Sequence, residues 1–261
     1  MIFTNLSAIF RKEFQSYFTS SFAYIIAAVF WLISGLFFGL ILENIITSVA
    51  FAEKSGQLPT SVDVASEFLQ SFLGIIISLL LVLLPALSMG LYSEERKRGT
   101  LELLATSPVT NWVVAVGKLL GVVCFFIVLM IPLWIYETIV FSSANPPVNL
   151  NVILIAHGGL FLVATAILSL GMFISSLTDS SILAYILTFV LVLFLWITDA
   201  IAGNLKEPLS SILSHLSLFD RYNDLVNGVV DTSSLVLFAS YIFLGIFLTA
   251  QSIETFRFQR S

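Results

Sequence analysis

Six long apolar stretches decide what this chain can fold into. A helix needs about 20 mostly apolar residues to cross roughly 30 Å of bilayer hydrocarbon. Stretches of that kind lie at residues 21–42, 68–92, 119–136, 150–177, 181–197 and 235–252. Backbone polar groups in lipid must be hydrogen-bonded within the segment, which favours helices over strands. The sequence therefore predicts an all-α integral membrane protein with six transmembrane helices in one domain over residues 1–261.

The overall composition agrees with a membrane protein and excludes an ordinary soluble domain. Hydrophobic residues make up 58% of the chain and charged residues 10%, with a mean hydropathy of +1.04. Soluble domains average about 25% charged residues. The single cysteine, Cys124, excludes an internal disulfide. Arg11 and Lys12 precede the first apolar stretch without a small-residue cleavage pattern, so we expect that stretch to stay as an anchor.

The basic residues predict the orientation in the membrane. If the N-terminus is inside, the inner segments hold Arg11, Lys12, Arg96, Lys97, Arg98, Lys118, Arg257 and Arg260, and the outer segments hold Lys54, Lys206 and Arg221. Lys and Arg accumulate on the cytoplasmic side of membrane proteins. We therefore expect a multi-pass protein of a bacterial plasma (inner) membrane with both termini in the cytoplasm.

An amphipathic helix is predicted before the first span. Its apolar residues recur at helical spacing at Leu6, Ile9, Phe10, Phe14, Tyr17 and Phe18, with Ser7, Arg11, Lys12 and Gln15 on the other face. A basic amphipathic helix of this kind lies in the membrane interface. Phe10, Arg11, Lys12 and Phe14 are its candidate functional residues, and both a membrane anchor and a partner-binding role remain open.

The predicted loops differ in what they contain. Residues 43–67 read as a short acidic outer connector with one helical turn. In the second outer loop, an apolar face predicts a short helix in the outer leaflet or against the bundle, formed by Leu205, Leu209, Ile212, Leu213, Leu216 and Phe219. The second inner loop, residues 175–180, carries a single charge, Asp179.

Ionisable groups are scarce within the predicted spans. Glu137 and Asp199 lie at span ends, and His157 lies about two turns inside the fourth span. Transporters driven by protons or sodium usually carry such groups at mid-membrane. His157 is interpreted as a packing or interfacial histidine, with a proton relay as the alternative.

Enzymatic signatures are absent from the sequence. Gly117-Lys118 resembles the end of a phosphate-binding loop, but Trp112 stands where that motif needs its first glycine and Leu119 where it needs Ser or Thr. The histidines have no metal-ligand spacing. We expect no catalytic residues, no metal, no cofactor bound by this chain and no nucleic-acid partner.

Small residues and prolines within the spans predict close helix contacts and bends. Small pairs four residues apart occur at Gly35 and Gly39, Gly117 and Gly121, and Gly171 and Ser175. Pro85 and Pro132 each remove a backbone donor inside a span and are expected to bend it.

The densest charge cluster follows the second span, in SEERKRGTLELLATSPVT, residues 93–110. The spacing predicts a short helix over residues 100–105, with Glu102 in its first turn, where a carboxylate favours the positive helix end. Pro108 ends it, because the residue before a proline is pushed out of the α region. Basic residues alone would fix orientation, but an apolar helix beside them favours a docking surface.

These residues resemble a known family. The run EERKRGTLELL (94–104), then Ser107-Pro108 and Gly117-Lys118, is similar to the cytoplasmic signature of ABC type-2 transporter permeases. The resemblance covers nearly the whole chain. The run FDRYNDLVNGVVD (219–231) is similar to the branch that contains the gliding-motility and nitrous-oxide-maturation permeases.

The resemblance implies a function for the loop. In that family it forms a coupling helix that seats in a groove of a separate ATP-binding subunit, which holds ATP and magnesium. Two permeases, identical or related, would combine with two such subunits into an exporter. The implied contact residues are Glu94, Glu95, Arg98, Gly99, Thr100, Leu101, Glu102 and Leu103. The alternatives are an ATP-independent transporter, channel or scramblase, and a membrane scaffold for an envelope or motility apparatus.

Overall fold

The regular secondary structure of the described residues is helical. The computed structural model describes residues 2–55, 64–101, 109–144, 149–202 and 217–258. Within these ranges the helices are α1 (Ile2–Thr19), α2 (Ser21–Lys54), α3 (Val64–Ser88), α4 (Gly90–Lys97), α5 (Asn111–Ser142), α6 (Leu150–Leu177), α7 (Ser181–Ala202), α8 (Leu218–Val226) and α9 (Thr232–Phe258). The predicted all-α class is confirmed.

Six of these helical segments are long and apolar enough to cross a membrane. They are Ser21–Lys54, Ala65–Lys97, Asn111–Ser142, Leu150–Leu177, Ser181–Thr198 and Thr232–Thr255. Each overlaps one stretch predicted from hydropathy, so the six-span architecture is confirmed. The second segment combines α3 and α4, which are separated by a turn at Met89, four residues after Pro85.

The first predicted connector is largely helical. Residues 43–67 were expected to form a loop with one helical turn, yet α2 continues to Lys54 and α3 already begins at Val64. The expectation was wrong because Ile45 and Val49 continue the helical spacing and pack into the core. Burial of these side chains holds the extra turns of α2 in place. Residues 56–63 lie outside the described ranges.

Helix α6 lies at the centre of the bundle. It packs against α3, α4, α5, α7, α8 and α9 and is buried over most of its length. Small residues such as Ala164 and Gly171 permit neighbouring helices to approach closely. The least buried spans are α2, α7 and α9. A displacement of α6 therefore acts directly on most of the other helices.

The predicted helix of the second outer loop falls mainly on residues 203–216, which lie outside the described ranges. Directly after them, α8 forms a short helix whose Leu218, Phe219, Tyr222, Leu225 and Val226 are buried. The Ser217 side chain caps its start by accepting a hydrogen bond from the Asp220 backbone N–H at 3.2 Å. Because α8 packs against α6 and α7, it is part of the bundle.

Helix α1 is the predicted amphipathic helix. Leu6, Ile9, Phe10, Phe14 and Tyr17 are half-buried, whereas Ser7, Arg11, Lys12 and Gln15 are exposed. Its apolar face packs against α5. Phe18 was expected on the buried face; its ring contacts Phe125 of α5 edge-on at 5.7 Å, but it is 40% exposed because it lies at the end of α1. The helix and its two faces are confirmed.

Candidate functional sites at the two ends of the bundle

Two polar clusters lie at opposite ends of the helical bundle. At one end, called the basic end, α1 and α4 meet the start of α5 and the link between α6 and α7. Arg96 marks it by donating a hydrogen bond from Nη1 to the Ser176 carbonyl at 3.0 Å. At the other end, called the distal end, the C-terminal part of α5 meets the start of α6 and helix α8.

Lys118 is the centre of the basic end. It is only 3% exposed, and its Nζ lies 3.1 Å from Glu13 Oε2 and 3.0 Å from Glu95 Oε1. The same ammonium donates a hydrogen bond to the Leu91 carbonyl at 2.7 Å. It also lies 4.9 Å from the centre of the Tyr92 ring, a distance typical of cation–π contacts. An ammonium has three donors, and all three are used here.

These contacts join three helices through one buried charge. Glu13 belongs to α1, Glu95 to α4 and Lys118 to α5. Lys12 also reaches Glu95 Oε1 at 3.4 Å, but its side chain is 72% exposed. Two carboxylates in a low-dielectric site repel each other unless a cation lies between them. Lys118 is therefore what permits α1 and α4 to approach α5.

Ser175 attaches α4 to the central helix. Its Oγ accepts hydrogen bonds from the backbone N–H groups of Tyr92 and Ser93, at 3.1 and 3.0 Å, and donates one to the Met89 carbonyl at 2.7 Å. The N–H groups of a first helical turn have no partner within their own helix. The interruption at Met89 exposes such groups inside the bundle, and a side chain from α6 satisfies two of them. Helix α4 is thereby fixed to α6.

A glycine ends α4 and sets the direction of the following loop. Gly99 has a φ of 70°, which few residues other than glycine adopt. The Gly99 N–H donates to the Arg96 carbonyl at 3.1 Å and the Thr100 N–H to the Glu95 carbonyl at 2.9 Å. This pair of bonds is the Schellman motif. The chain therefore leaves the helix at a defined point, directly before residues 100–105.

The residues expected to contact an ATP-binding subunit fall into three groups. Glu94, Arg98, Gly99 and Thr100 are exposed, and Arg98 Nη2 pairs with Glu94 Oε2 at 3.4 Å. Glu95 is engaged by Lys118, and Leu101 is buried. Glu102 and Leu103 lie outside the described residues, as does most of the predicted helix over 100–105. Asp179 is exposed on the link between α6 and α7 at the same end.

A groove of about 590 Å³ runs between α1 and α4 beside these residues. Its walls carry both signs of charge, including Lys12, Glu94 and Arg98. The exposed polar groups of α1 and α4 therefore form one continuous surface at the basic end.

Aromatic contacts fix α1 along that surface. Phe10 stacks on Phe14 with ring centres 5.8 Å apart, and Tyr17 stacks on Phe125 of α5 at 4.7 Å. The Tyr17 hydroxyl donates a hydrogen bond to the Leu87 carbonyl at 3.0 Å. Burial, reinforced by Glu13 and Glu94, raises the pKa of Tyr17 well above its ordinary value. The hydroxyl thus keeps its proton and remains a donor, while Arg11 and Lys12 stay exposed on the opposite face.

A buried glutamate and histidine form the distal cluster. Glu137 is 3% exposed, and its Oε2 lies 3.1 Å from His157 Nε2. His157 Nδ1 lies 2.9 Å from the Ile153 carbonyl. A carbonyl only accepts, so Nδ1 carries a hydrogen. The contact between Nε2 and Oε2 then contains one proton, held by the imidazole or by the carboxyl, and the pair as a whole is neutral.

Tyr222 of α8 packs close to this pair. Its side chain is buried, and burial together with the nearby Glu137 raises the pKa of Tyr222 above its ordinary value. Neither the Tyr222 hydroxyl nor Glu137 Oε1 has a hydrogen-bond partner among the residues the structure describes. Unsatisfied buried polar atoms are rare and call for an explanation.

These contacts are not apparent from the sequence alone. In the sequence, Glu137 lies at a span end, His157 stands alone inside a span, and Gly117-Lys118 only resembles the end of a phosphate loop. One signal could have paired the first two: both lie about two turns from the same connection between antiparallel spans. No comparable local signal joins Glu13, Glu95 and Lys118, because they are far apart in the chain.

Comparison with models of protein families identifies a match over most of the chain. A family model described as "ABC-2 family transporter protein" matches residues 7–261. Comparison with curated proteins gives no match.

Proposed function

Because the chain belongs to the ABC-2 family of transporter proteins, we propose that it is the permease subunit of an ATP-driven exporter in a bacterial plasma membrane. A separate ATP-binding subunit holds ATP and magnesium and contacts the loop at residues 94–110 on the cytoplasmic side. A second permease, identical or related, completes the path across the bilayer.

The attachment of α4 to the bundle carries this proposal. A segment that receives force from a partner must be fixed to the spans it moves. Helix α4 is fixed to α5 through Lys118 and Glu95 and to α6 through Ser175 and Arg96. A displacement of the loop that follows Gly99 therefore acts on two spans at once. A loop that served only to set orientation would not need these contacts.

The charged residues of α4 fall into two pairs with different roles. Glu94 and Arg98 are exposed and, within the part of the chain that the structure describes, form an ion pair with each other at 3.4 Å. Such an exposed pair can be exchanged for partner contacts at little cost. Glu95 and Arg96 keep internal contacts and hold the helix in place. We assign recognition to the first pair and transmission to the second.

Co-purification with an ATP-binding subunit tests the proposal. The tagged chain is purified from its native membranes, co-purifying proteins are identified by mass spectrometry, and ATP hydrolysis by the complex is measured. Glu94→Lys combined with Arg98→Glu preserves the pair while reversing both charges. We expect about tenfold less co-purified ATPase, with unchanged membrane insertion and unfolding temperature. Lys54→Glu, an exposed change at the distal end, is the matched control and leaves co-purification intact.

Two results would contradict the assignment. Unchanged co-purification and ATP hydrolysis in the reversed pair would remove Glu94 and Arg98 from the contact. The absence of any phosphate-loop ATPase in the purified complex would remove the ATP-driven function itself.

The buried Glu137–His157 pair favours one alternative, an ion-coupled transporter that needs no ATPase. Ionisable residues inside a membrane mark proton or ion pathways, and this pair shares a proton at 3.1 Å. If the purified chain alone moved solute in liposomes under an ion gradient, and His157→Ala abolished the movement, this alternative would replace the exporter.

A further inference from the structure

A cavity of about 660 Å³ opens beside the Glu137–His157 pair at the distal end. Its walls are mainly apolar and aromatic, with Trp134, Phe141, Ile153, Leu154 and Phe161 among them. Glu137 and His157 are its ionisable lining residues. A largely apolar cavity of this size with a few converging polar groups has the usual composition of a ligand site.

The cavity is open to the outside of the bundle. Leu150 and Leu154 line it and are 72% and 69% exposed. Both lie on the first turns of α6, which is otherwise buried over most of its length. We take this opening as the route by which a molecule dissolved in the bilayer enters the cavity.

The polar wall of the cavity has an acceptor that lacks a hydrogen-bond donor. Glu137 Oε2 is occupied by His157 Nε2, whereas Glu137 Oε1 accepts no hydrogen bond from the described residues. A buried acceptor without a donor costs about 1–3 kcal/mol in proteins. Oε1 itself is buried, so a guest that supplies one donor recovers that cost once the Glu137 carboxyl turns toward the cavity that it lines.

The charge of the pair decides which donor fits. One proton lies between Glu137 and His157, so the pair is neutral in either of its two forms. An ammonium group would add an uncompensated charge to an apolar cavity, which is expensive. A hydroxyl group supplies the donor without adding charge.

We propose that this cavity binds a neutral amphipathic alcohol from the bilayer, with its hydroxyl group donating to Glu137 Oε1 and its apolar body against Trp134, Phe141 and Phe161. Trp134 and Phe161 form the aromatic wall, with ring centres 6.3 Å apart. The biological role of this binding rests on the proposed function, since in an exporter such a site would receive a lipid-like cargo. Binding itself requires no ATPase.

Fluorescence quenching of Trp134 tests the proposal. The full-length protein is placed in lipid nanodiscs and titrated with ω-bromoundecanol, bromoundecane and ω-bromoundecylamine, whose bromine quenches tryptophan. The signal that disappears in Trp134→Phe is assigned to the cavity. We expect saturable quenching by the alcohol, with the alkane and the amine each at least tenfold weaker.

Variants of Glu137 separate hydrogen bonding from charge. Glu137→Leu removes the acceptor at similar volume, so the alcohol should bind no better than the alkane. Glu137→Gln keeps an acceptor, because its amide nitrogen donates to His157 Nε2 and its amide oxygen stays free. We expect alcohol affinity within about threefold of wild type in that variant. Glu43→Leu replaces an exposed glutamate that does not line the cavity and should change nothing.

Three outcomes would overturn the inference. Equal binding of alkane and alcohol would leave no role for Glu137. Tighter binding of the amine than of the alcohol, lost in Glu137→Gln, would mean that the cavity binds cations instead. Alcohol binding that appears only in Tyr222→Phe would mean that the tyrosine hydroxyl already occupies Oε1. If Glu137→Leu does not fold, the wild-type comparison and Glu137→Gln still decide, and because no ATPase is present, failure here leaves the proposed function untouched.

Discussion

A single buried lysine holds the basic end together. Lys118 contacts Glu13, Glu95 and the Leu91 carbonyl, each within 3.1 Å. The cost of burying this ammonium is offset only while both carboxylates are present. Removing the lysine would leave two half-buried carboxylates facing each other, so its loss would act on α1 and α4 together.

Replacement of Lys118 should therefore be costly. We expect Lys118→Met to lower the free energy of unfolding by about 3 kcal/mol, since breaking a buried ion pair leaves uncompensated charge. Lys12→Met is the matched control: it contacts the same Glu95 oxygen at 3.4 Å but is 72% exposed. It should cost less than about 1 kcal/mol. Equilibrium unfolding in detergent measures both, and equal losses would contradict the assigned role of Lys118.

The sequence identifies the residue types of this site but not their contacts. The charge run at residues 94–98 was apparent from the sequence, and its function as a docking surface remains a prediction. The internal engagement of Glu95 was not predictable, because Lys118 lies beyond the loop and Glu13 on another helix. Such pairs are set by how helices pack, which local spacing does not report.

Contact between α1 and α5 depends on the absence of side chains on α5. A Cβ added at Gly117 would lie 2.8 Å from Ile9 Cγ2, and one added at Gly121 would lie 2.7 Å from Glu13 Cβ and 3.2 Å from the Phe14 nitrogen. Neighbouring helices can approach this closely only where small residues face them. The glycine spacing of α5 and the amphipathic pattern of α1 are both visible in the sequence, but neither indicates that the two helices contact each other there.

Filling this contact should separate α1 from α5. Gly121→Leu places a branched side chain against Glu13 and the α1 backbone, so α1 must move away. Cys124, the only cysteine in the chain, lies beside Phe3, Leu6 and Phe10 of α1. We expect severalfold faster labelling of Cys124 by a maleimide in detergent.

Gly39→Leu is the control for that experiment, because a Cβ at Gly39 would meet no atom within 4 Å. Its labelling rate should equal that of the wild type. Unchanged labelling of Cys124 in Gly121→Leu would mean that α1 does not depend on this contact.

The length of α2 could not be predicted from hydropathy. Hydropathy located all six spans, because burial in lipid demands a long apolar run. It ended the first one at residue 42, where Glu43 and Asn44 begin a more polar stretch. Helix α2 continues to Lys54, because Ile45 and Val49 pack against neighbouring helices. Packing, which a hydropathy window does not measure, decides where such a helix ends.

Helix α6 connects the two polar clusters across the molecule. Its C-terminal turns hold α4 through Ser175 and Ser176, and its second turn carries His157. A helix of 28 residues spans about 40 Å at 1.5 Å per residue. Movement of the loop at the basic end can therefore reach the cavity at the distal end through one continuous element, which is the arrangement that the proposed exporter requires.

The orientation of this bundle is the remaining prediction. The bias of Lys and Arg predicts that the basic end faces the cytoplasm. In a Cys124→Ser background, single cysteines at Lys97 and Asp179, both exposed at the basic end, should resist a membrane-impermeant maleimide on intact spheroplasts and react after lysis. A cysteine at Glu53, exposed at the far end of α2, should react without lysis. The reverse pattern would invert the protein and place the loop at 94–110 out of reach of any cytoplasmic ATPase, whereas opposite results at 97 and 179 would contradict the fold, since Arg96 and Ser176 are in contact.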